Sequence, residues 1–294
     1  ADRDTGVLLI RDAGSATDTA WMHHRADLPQ LIRAGRFIAR PKRYLRGFAR
    51  ELERVEDLPL AASEEALRGD GWVKIIADWI DRDLGSDGDL RPLWPDDVLA
   101  DAVAAAHAAG ARVTAHTFAT EAVGGLLDAG IDCIEHGTGM KEAHIAEAAR
   151  RGIAVVPTLL QVGQFASIAD QGSAKFPAFA ARMQAMYQAR YAQVRRFHEA
   201  GVPLLVGTDA GGTIGHGSFA QECAEMVAAG LPARDVVAAA TWVARRFLGA
   251  PGIEEGASAD VVVFRGDPRE DIGILAEPSA VVLRGAVFDP RRGA

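Results

Sequence analysis

Four stretches of the chain repeat one arrangement. An alanine-rich run with apolar residues at helical spacing ends in glycine, and a short apolar, β-branched run comes directly after it. The stretches are AAHAAG-ARVTAH, LLDAG-IDCIEH, AARRG-IAVVPT and FHEAG-VPLLVGTD, with glycines at Gly110, Gly130, Gly152 and Gly201. Each glycine stands where a helix needs a left-handed residue to stop. Each run after it has the continuous apolar character of a parallel strand buried on both faces. A polar residue then closes each strand: His116, His136 and Thr158 come six positions after their glycines, and Asp209 eight after its own.

Helices alternating with short apolar strands imply right-handed βαβ units and an α/β fold with a helix-covered parallel sheet. Further strands are predicted at Val7 to Arg11, Arg36 to Ala39 and Trp72 to Ile76, giving seven strands near positions 8, 37, 74, 114, 134, 155 and 206. A closed (β/α)8 TIM-type barrel has eight. Beyond Pro251 the pattern changes to GIEEGASADVVVFRGDP and SAVVLRGAVFD, short β runs divided by Gly, Asp and Pro without helices between them. Such runs suit antiparallel strands in a small separate sheet. The expected division is therefore a barrel over 1–252 and part of a small β-sandwich domain over 253–294.

The 294 residues suffice for one large domain with an appendage. Thirty-two basic and 40 acidic residues give a net charge of −8, and the two signs are mixed along the chain. That balance argues against a nucleic-acid partner. The stretch from Arg36 to Arg54 is locally basic but interrupted by Glu51 and Glu53, and reads as a solvated helix face. Cys133 and Cys223 form no CxxC pair, which fits a reducing compartment. With no apolar run long enough to span a bilayer and no signal-like opening residues, no membrane association and a cytoplasmic location are expected.

In parallel barrels the chemistry sits at the C-terminal ends of the strands, so the strand-closing residues are the candidates. Alternation along a strand puts His116 on one face with Thr114, and His136 with Ile134. Neutral imidazole is the commonest protein metal ligand, and adjacent strands lie about 4.8 Å apart, so two inward histidines on neighbouring strands can grip one ion. Lys74, in Trp-Val-Lys-Ile-Ile, puts a charge where a doubly buried strand should have none. Asp209, in Val-Gly-Thr-Asp-Ala-Gly-Gly, is flanked by glycines that let backbone and substrate approach its carboxylate. Taken singly, each has a plainer explanation: a hydrogen-bonded structural histidine, a snorkelling lysine, a turn or N-cap aspartate. Taken together, with the histidines and Asp209 at strand ends, they favour a catalytic metal site.

The pieces WVKI at Lys74, VTAHT at His116, CIEHG at His136, and VGTDAGG with HGSF after it at Asp209 and His216, resemble the amidohydrolase superfamily. The likeness is to its imidazolonepropionase-like and Xaa-Pro dipeptidase-like group, and GASADVVVFRGDP is similar to the return of such chains into their small β-sandwich domain. This resemblance implies two divalent metal ions, with zinc expected, bridged by a carboxylated lysine and a hydroxide. Lys74 matches that lysine, His116 and His136 the ligands of one metal, and Asp209 the aspartate that binds the other and shuttles the proton. It implies hydrolysis of a C–N bond in a small amide or peptide-like substrate, of a dipeptidase or carboxypeptidase kind, by a homo-oligomer. A mononuclear deaminase and a catalytically silent scaffold are the alternatives.

One motif of the family, a His-x-His pair closing the first barrel strand, is absent. His23 and His24 are adjacent and would point to opposite faces of a strand. The run from Val7 to Asp12 resembles the second barrel strand of relatives, so the seven strands are expected to be strands 2 to 8, with an upstream segment carrying the pair. His216, in a glycine-flanked loop, is a candidate substrate contact. His107, His144 and His198 read as surface residues on helices. Leu159 to Tyr191, rich in Phe, Met and Tyr, reads as either a lid over the pocket or an ordinary helix contact.

Overall fold

The computed structural model describes residues 1–290. The last four residues of the expected second domain, 291–294, lie outside the described residues. Strands β1 (Leu9–Asp12), β2 (Gln30–Arg33), β3 (Ile38–Ala39) and β4 (Arg50–Glu51) precede helix α1 (Leu58–Arg68) and β5 (Trp72–Ile76). A hairpin of β6 (Asp78–Ile80) and β7 (Leu90–Pro92) leads into α2 (Asp96–Ala108), β8 (Arg112–Thr117), α3 (Thr120–Asp128), β9 (Cys133–His136), α4 (Glu142–Arg151) and β10 (Ala154–Val156). Next come helices α5 (Leu159–Gly163), α6 (Phe165–Gly172), α7 (Pro177–Glu199), α8 (Phe219–Ala228), α9 (Ala233–Ala240) and α10 (Trp242–Leu248). Strands β11 (Val261–Val263), β12 (Ala280–Leu283) and β13 (Ala286–Phe288) come last.

The repeating unit read from the sequence is present. Gly110, Gly130, Gly152 and Gly201 all have φ between +69° and +82°, the left-handed stop the pattern requires. The strands after the first three form a parallel sheet in the order β10-β9-β8-β5-β3-β4. The fourth run is reduced to one parallel bridge between Val155 and Leu204. On the other flank β1 pairs in parallel with β2, and the chain from Gln30 to Ala39 acts as one strand interrupted at Gly35. Its first half bonds back to β1, its second half forward through Ile38 to Ile75 of β5. This is the α/β, TIM-barrel-type arrangement, although the strand ladders do not close into a ring among the described residues.

Strand parity divides the core. Val73, Ile75, Val113, Ala115, Ile134 and Val155 face the helices, packing with residues such as Leu99, Leu126, Ile145 and Phe197. Trp72, Cys133, Ala154, Val156 and Leu205 make a second, inner cluster. The residues that alternate with the first set, Lys74, Thr114 and His116, therefore share the inner side. The last three strands form a separate antiparallel sheet, β11-β12-β13, packed through Val281 and Leu283 onto Leu8.

Two expectations are corrected by the structure. Arg36 to Arg54 is not a helix face: it forms β3, an irregular loop and β4. Pro41 and Gly47 interrupt it, and its arginines are occupied, Arg36 with the carbonyls of Gly47 and Phe48, Arg43 with Ile80 O, Asp81 and Asp83. The strand predicted over Arg36 to Ala39 is confined to Ile38–Ala39, and Gln30–Arg33, before Gly35, forms a strand that the pattern does not predict.

Candidate active site

The inner face of the sheet delivers its polar side chains to one end. Lys74, in the middle of the fully buried β5, lies opposite Thr114 in the register, and Ile76 lies opposite His116. Thr117 pairs with His136 of the next strand. Simple alternation would place Glu135 and His136 on opposite faces. His136, however, has φ of +68°, and this left-handed turn at the strand end brings its ring to His116. His136 therefore does not share a face with Ile134, as the sequence suggested: Ile134 packs among the helices. Thr158 and Asp209 end their own runs in the same way, with φ of +47° and +55°. Three left-handed non-glycine residues at three successive strand ends is the kind of strain that collects at functional sites.

The two histidines are in contact, with His116 Nδ1 and His136 Nε2 3.0 Å apart, and His136 Nδ1 is 2.6 Å from Thr158 Oγ1. Both are buried, and both pKa values are driven down by burial, His136 to about 3 and His116 well below its ordinary value. Neutral imidazoles are the form that ligates metal. Bonds of about 2.0–2.1 Å at tetrahedral angles put two ligand nitrogens about 3.3 Å apart, close to the separation seen. His116 Nε2 is sealed without a hydrogen-bond partner among the described residues. The pair thus fits the nitrogen half of a metal site.

Lys74 is 4% exposed, and its ammonium makes no hydrogen bond or ion pair with the described residues. It is close enough to His116, His136, Asp209, Glu135 and Asp12 to influence the ionisation of all five. Burial pushes the Asp209 carboxyl up to about 6, against the pull of Lys74. Lys74 thus lies within electrostatic reach of both histidines and of Asp209, and among the described residues neither Lys74 nor Asp209 hydrogen-bonds to the histidines. Among the described residues no three His, Cys, Asp or Glu side chains are drawn together tightly enough to hold an ion.

Two residues that the sequence pattern did not single out complete the interior. Arg11 of β1 is ion-paired with Glu135 of β9, and Thr114 Oγ1 donates to Glu135 at 2.5 Å. Burial alone would raise the Glu135 pKa, but Arg11 and Lys74 together hold it below its ordinary value. The rule that singled out Lys74, a charge on a doubly buried strand, would have found both. At the rim, the Tyr44 ring meets His116 edge-on at 5.0 Å, and Phe118 meets it at 4.2 Å.

Five of the six remaining histidines pair with residues at or near the surface. His216 Nδ1 lies 2.8 Å from Asp2 Oδ2, with its side chain 60% exposed. His23 pairs with Asp70, His107 with Asp132 and His198 with Asp235, and the His144 ring accepts from Lys141 N at the start of α4. The segment from Leu159 to Tyr191 folds as α5, α6 and most of α7, with Phe165 and Met183 buried in the core and the Phe165 ring stacked edge-on against Phe118. No helix among the described residues is long and apolar enough to cross a membrane.

Residues 33–287 match the Amidohydrolase family. The chain belongs to the amidohydrolase family. An uncharacterized protein of Mycobacterium tuberculosis is 52% identical over 289 residues, 98% of this chain and 77% of that protein. Among solved structures, a Xaa-Pro dipeptidase with methionine bound in its active site superposes with a TM-score of 0.81 at 22% identity, covering 98% of this chain and 76% of that one. At that identity the likeness is one of fold. A prolidase complexed with N-methylphosphonate-L-proline gives a TM-score of 0.75 at 25% identity, covering 98% and 77%. As an amidohydrolase, the chain carries its two contacting histidines on neighbouring barrel strands and its buried lysine on the strand before them.

Proposed function

We propose that this amidohydrolase is a metal-dependent hydrolase of C–N bonds in small amide or peptide-like substrates, and that it acts on dipeptides or N-acyl amino acids. The observation that carries the reading is the pair of neutral, buried histidines with facing nitrogens at one barrel end, beside a buried lysine and a buried aspartate. His116 and His136 would hold one divalent cation, zinc by preference. Lys74, once carboxylated on Nζ, and Asp209 would be the further ligands that this chain supplies. A bound cation of this kind lowers the pKa of water from 15.7 towards about 7 and polarises a carbonyl.

The chain's own residues supply the proton traffic. Asp209 takes the proton released as water adds to the substrate carbonyl, then passes it to the nitrogen as the C–N bond breaks, so one carboxylate serves as base and then acid. Arg11, Glu135 and Thr114 form a hydrogen-bonded, charged cluster within electrostatic reach of Lys74 and His136. The peptidase-like preference is supported by the bound methionine and the proline phosphonate of the two structural neighbours.

The test is metal analysis together with hydrolysis by the zinc- or manganese-loaded protein of a panel of dipeptides and N-acyl amino acids. Metal uptake with release of a free amino acid is expected. Full metal occupancy with no turnover would favour a silent scaffold. A single ion per chain with ammonia released from an amino-substituted ring would favour a mononuclear deaminase, a reading kept alive because the described residues bring only the two histidines into contact.

A further inference from the structure

Tyr44 lies in the loop between β3 and β4, where nothing in the proposed metal and proton chemistry needs an aromatic residue. Its backbone has φ of +126°, a region in which a bulky side chain is a genuine outlier, and Lys42, two positions earlier, is also left-handed at +61°. The loop is held in this form from both sides. Arg43 donates to Ile80 O, Asp81 and Asp83, while Arg36 donates to the carbonyls of Gly47 and Phe48. Strain kept by such anchoring has to be explained by where it puts the side chain.

It puts the ring against the histidine site. Tyr44 meets His116 edge-on at 5.0 Å, Trp79 at 4.9 Å and Phe37 at 5.3 Å. The hydroxyl makes no hydrogen bond with the described residues. A phenol hydroxyl without a partner, packed against a proposed metal-ligating imidazole, is placed for a group that enters with the substrate.

We infer that Tyr44 is a catalytic residue whose hydroxyl donates a hydrogen bond to the carbonyl oxygen of the scissile amide. The inference rests on the amide-hydrolase reading and deepens it. As the oxygen of water bonds to the carbonyl carbon, the C=O π pair moves onto oxygen, and the Tyr44 O–H stabilises the charge that develops there. The pair returns when the C–N bond breaks and the nitrogen receives its proton from Asp209. The phenol proton is shared throughout and never transferred.

Tyr44→Phe keeps the ring and removes the donor. With the zinc-loaded protein and its best dipeptide, the variant is expected to lose about 100-fold in kcat with KM changed less than about threefold, the range for a donor acting on a developing oxyanion. Metal content and Tm should match the wild type. Affinity for a phosphonamidate analogue of that dipeptide, measured calorimetrically, should fall at least tenfold, which a packing role would not produce. A Phe variant equal to the wild type in kcat and in analogue affinity would overturn the inference and leave the hydrolase reading standing. A wild type that turns over no substrate would overturn both.

Discussion

Lys74 shows how far single residues decide this site. Its strand is buried along its whole length, and the ammonium has no counter-charge in contact. A buried charge without a counter-ion in contact is costly unless it is paired or altered, and the proposed conversion to a metal-binding carbamate would remove the conflict. Lys74→Ala is therefore expected to leave the sheet intact, to lower the bound metal per chain by at least one equivalent and to cut kcat/KM by about 10³-fold or more. Metal analysis before and after dialysis, with short carboxylates added back to the variant, checks this. Retained stoichiometry and activity would show that Lys74 is packing. The lysine was legible in the sequence because charge on an apolar strand is conspicuous. Tyr44 was not, because it sits in a basic loop whose backbone geometry has no one-dimensional signature.

Among the elements, the strand ends carry the information. The glycine-to-strand spacing located β8, β9 and β10 to within two residues, since a helix stop with a β-branched run directly after it has little freedom. It failed where the run was short and polar: Gln30–Arg33 has only two apolar residues, and the β6–β7 hairpin succeeds β5 almost without a break. Nor did it show that His136, Thr158 and Asp209 would leave their strands in left-handed turns. The backbone just beyond Thr158 is fixed from another element. Glu222, on α8 and fully buried, accepts from the backbone N–H groups of Leu159 at 2.6 Å and Leu160 at 2.9 Å, holding the start of α5. Burial nevertheless outweighs those bonds and pushes its pKa up to about 8. The folded state then binds a proton that the unfolded chain, with an ordinary glutamate near 4.3, has released. Stability from this group is present below the unfolded pKa and is lost as pH rises towards 8, by a few kcal/mol at most. Asp78 and Asp209, both near 6, act in the same direction but are spent by about pH 7. Urea titrations between pH 6.5 and 8.5 should show falling stability in the wild type and a flatter profile in Glu222→Gln. Identical slopes would mean that Glu222 is ionised throughout.

For the whole molecule, the question is what fixes the two flanks of the sheet relative to each other when the ladders do not form a ring. Among the described residues β1 pairs only with β2, and on the far side β10 is held by β9 and one bridge to Leu204. The direct tie across the interior is the pair of Arg11 on β1 and Glu135 on β9, with Thr114 on Glu135 and the Trp72 ring 4.6 Å from the Arg11 guanidinium. Sequence made the parallel sheet visible, but a cross-barrel pair depends on curvature, and a residue separation of 124 positions hides it. Pairs of this kind are costly to break singly and cheap to replace together, because each half left alone is an unpaired buried charge. Arg11→Met and Glu135→Leu are each expected to destabilise the fold by about 3–5 kcal/mol, while the double variant regains most of that loss. If the tie also sets the site, the double variant should fold yet let His136, the neighbour of Glu135, drift from His116, lowering zinc affinity by about 10- to 100-fold, as loss of the groups behind metal ligands does. Denaturant midpoints for the three variants, with zinc binding measured by competition with a chelator, separate the two effects. Strictly additive losses in the double variant would show that Arg11 and Glu135 act independently and that some other contact holds the flanks together.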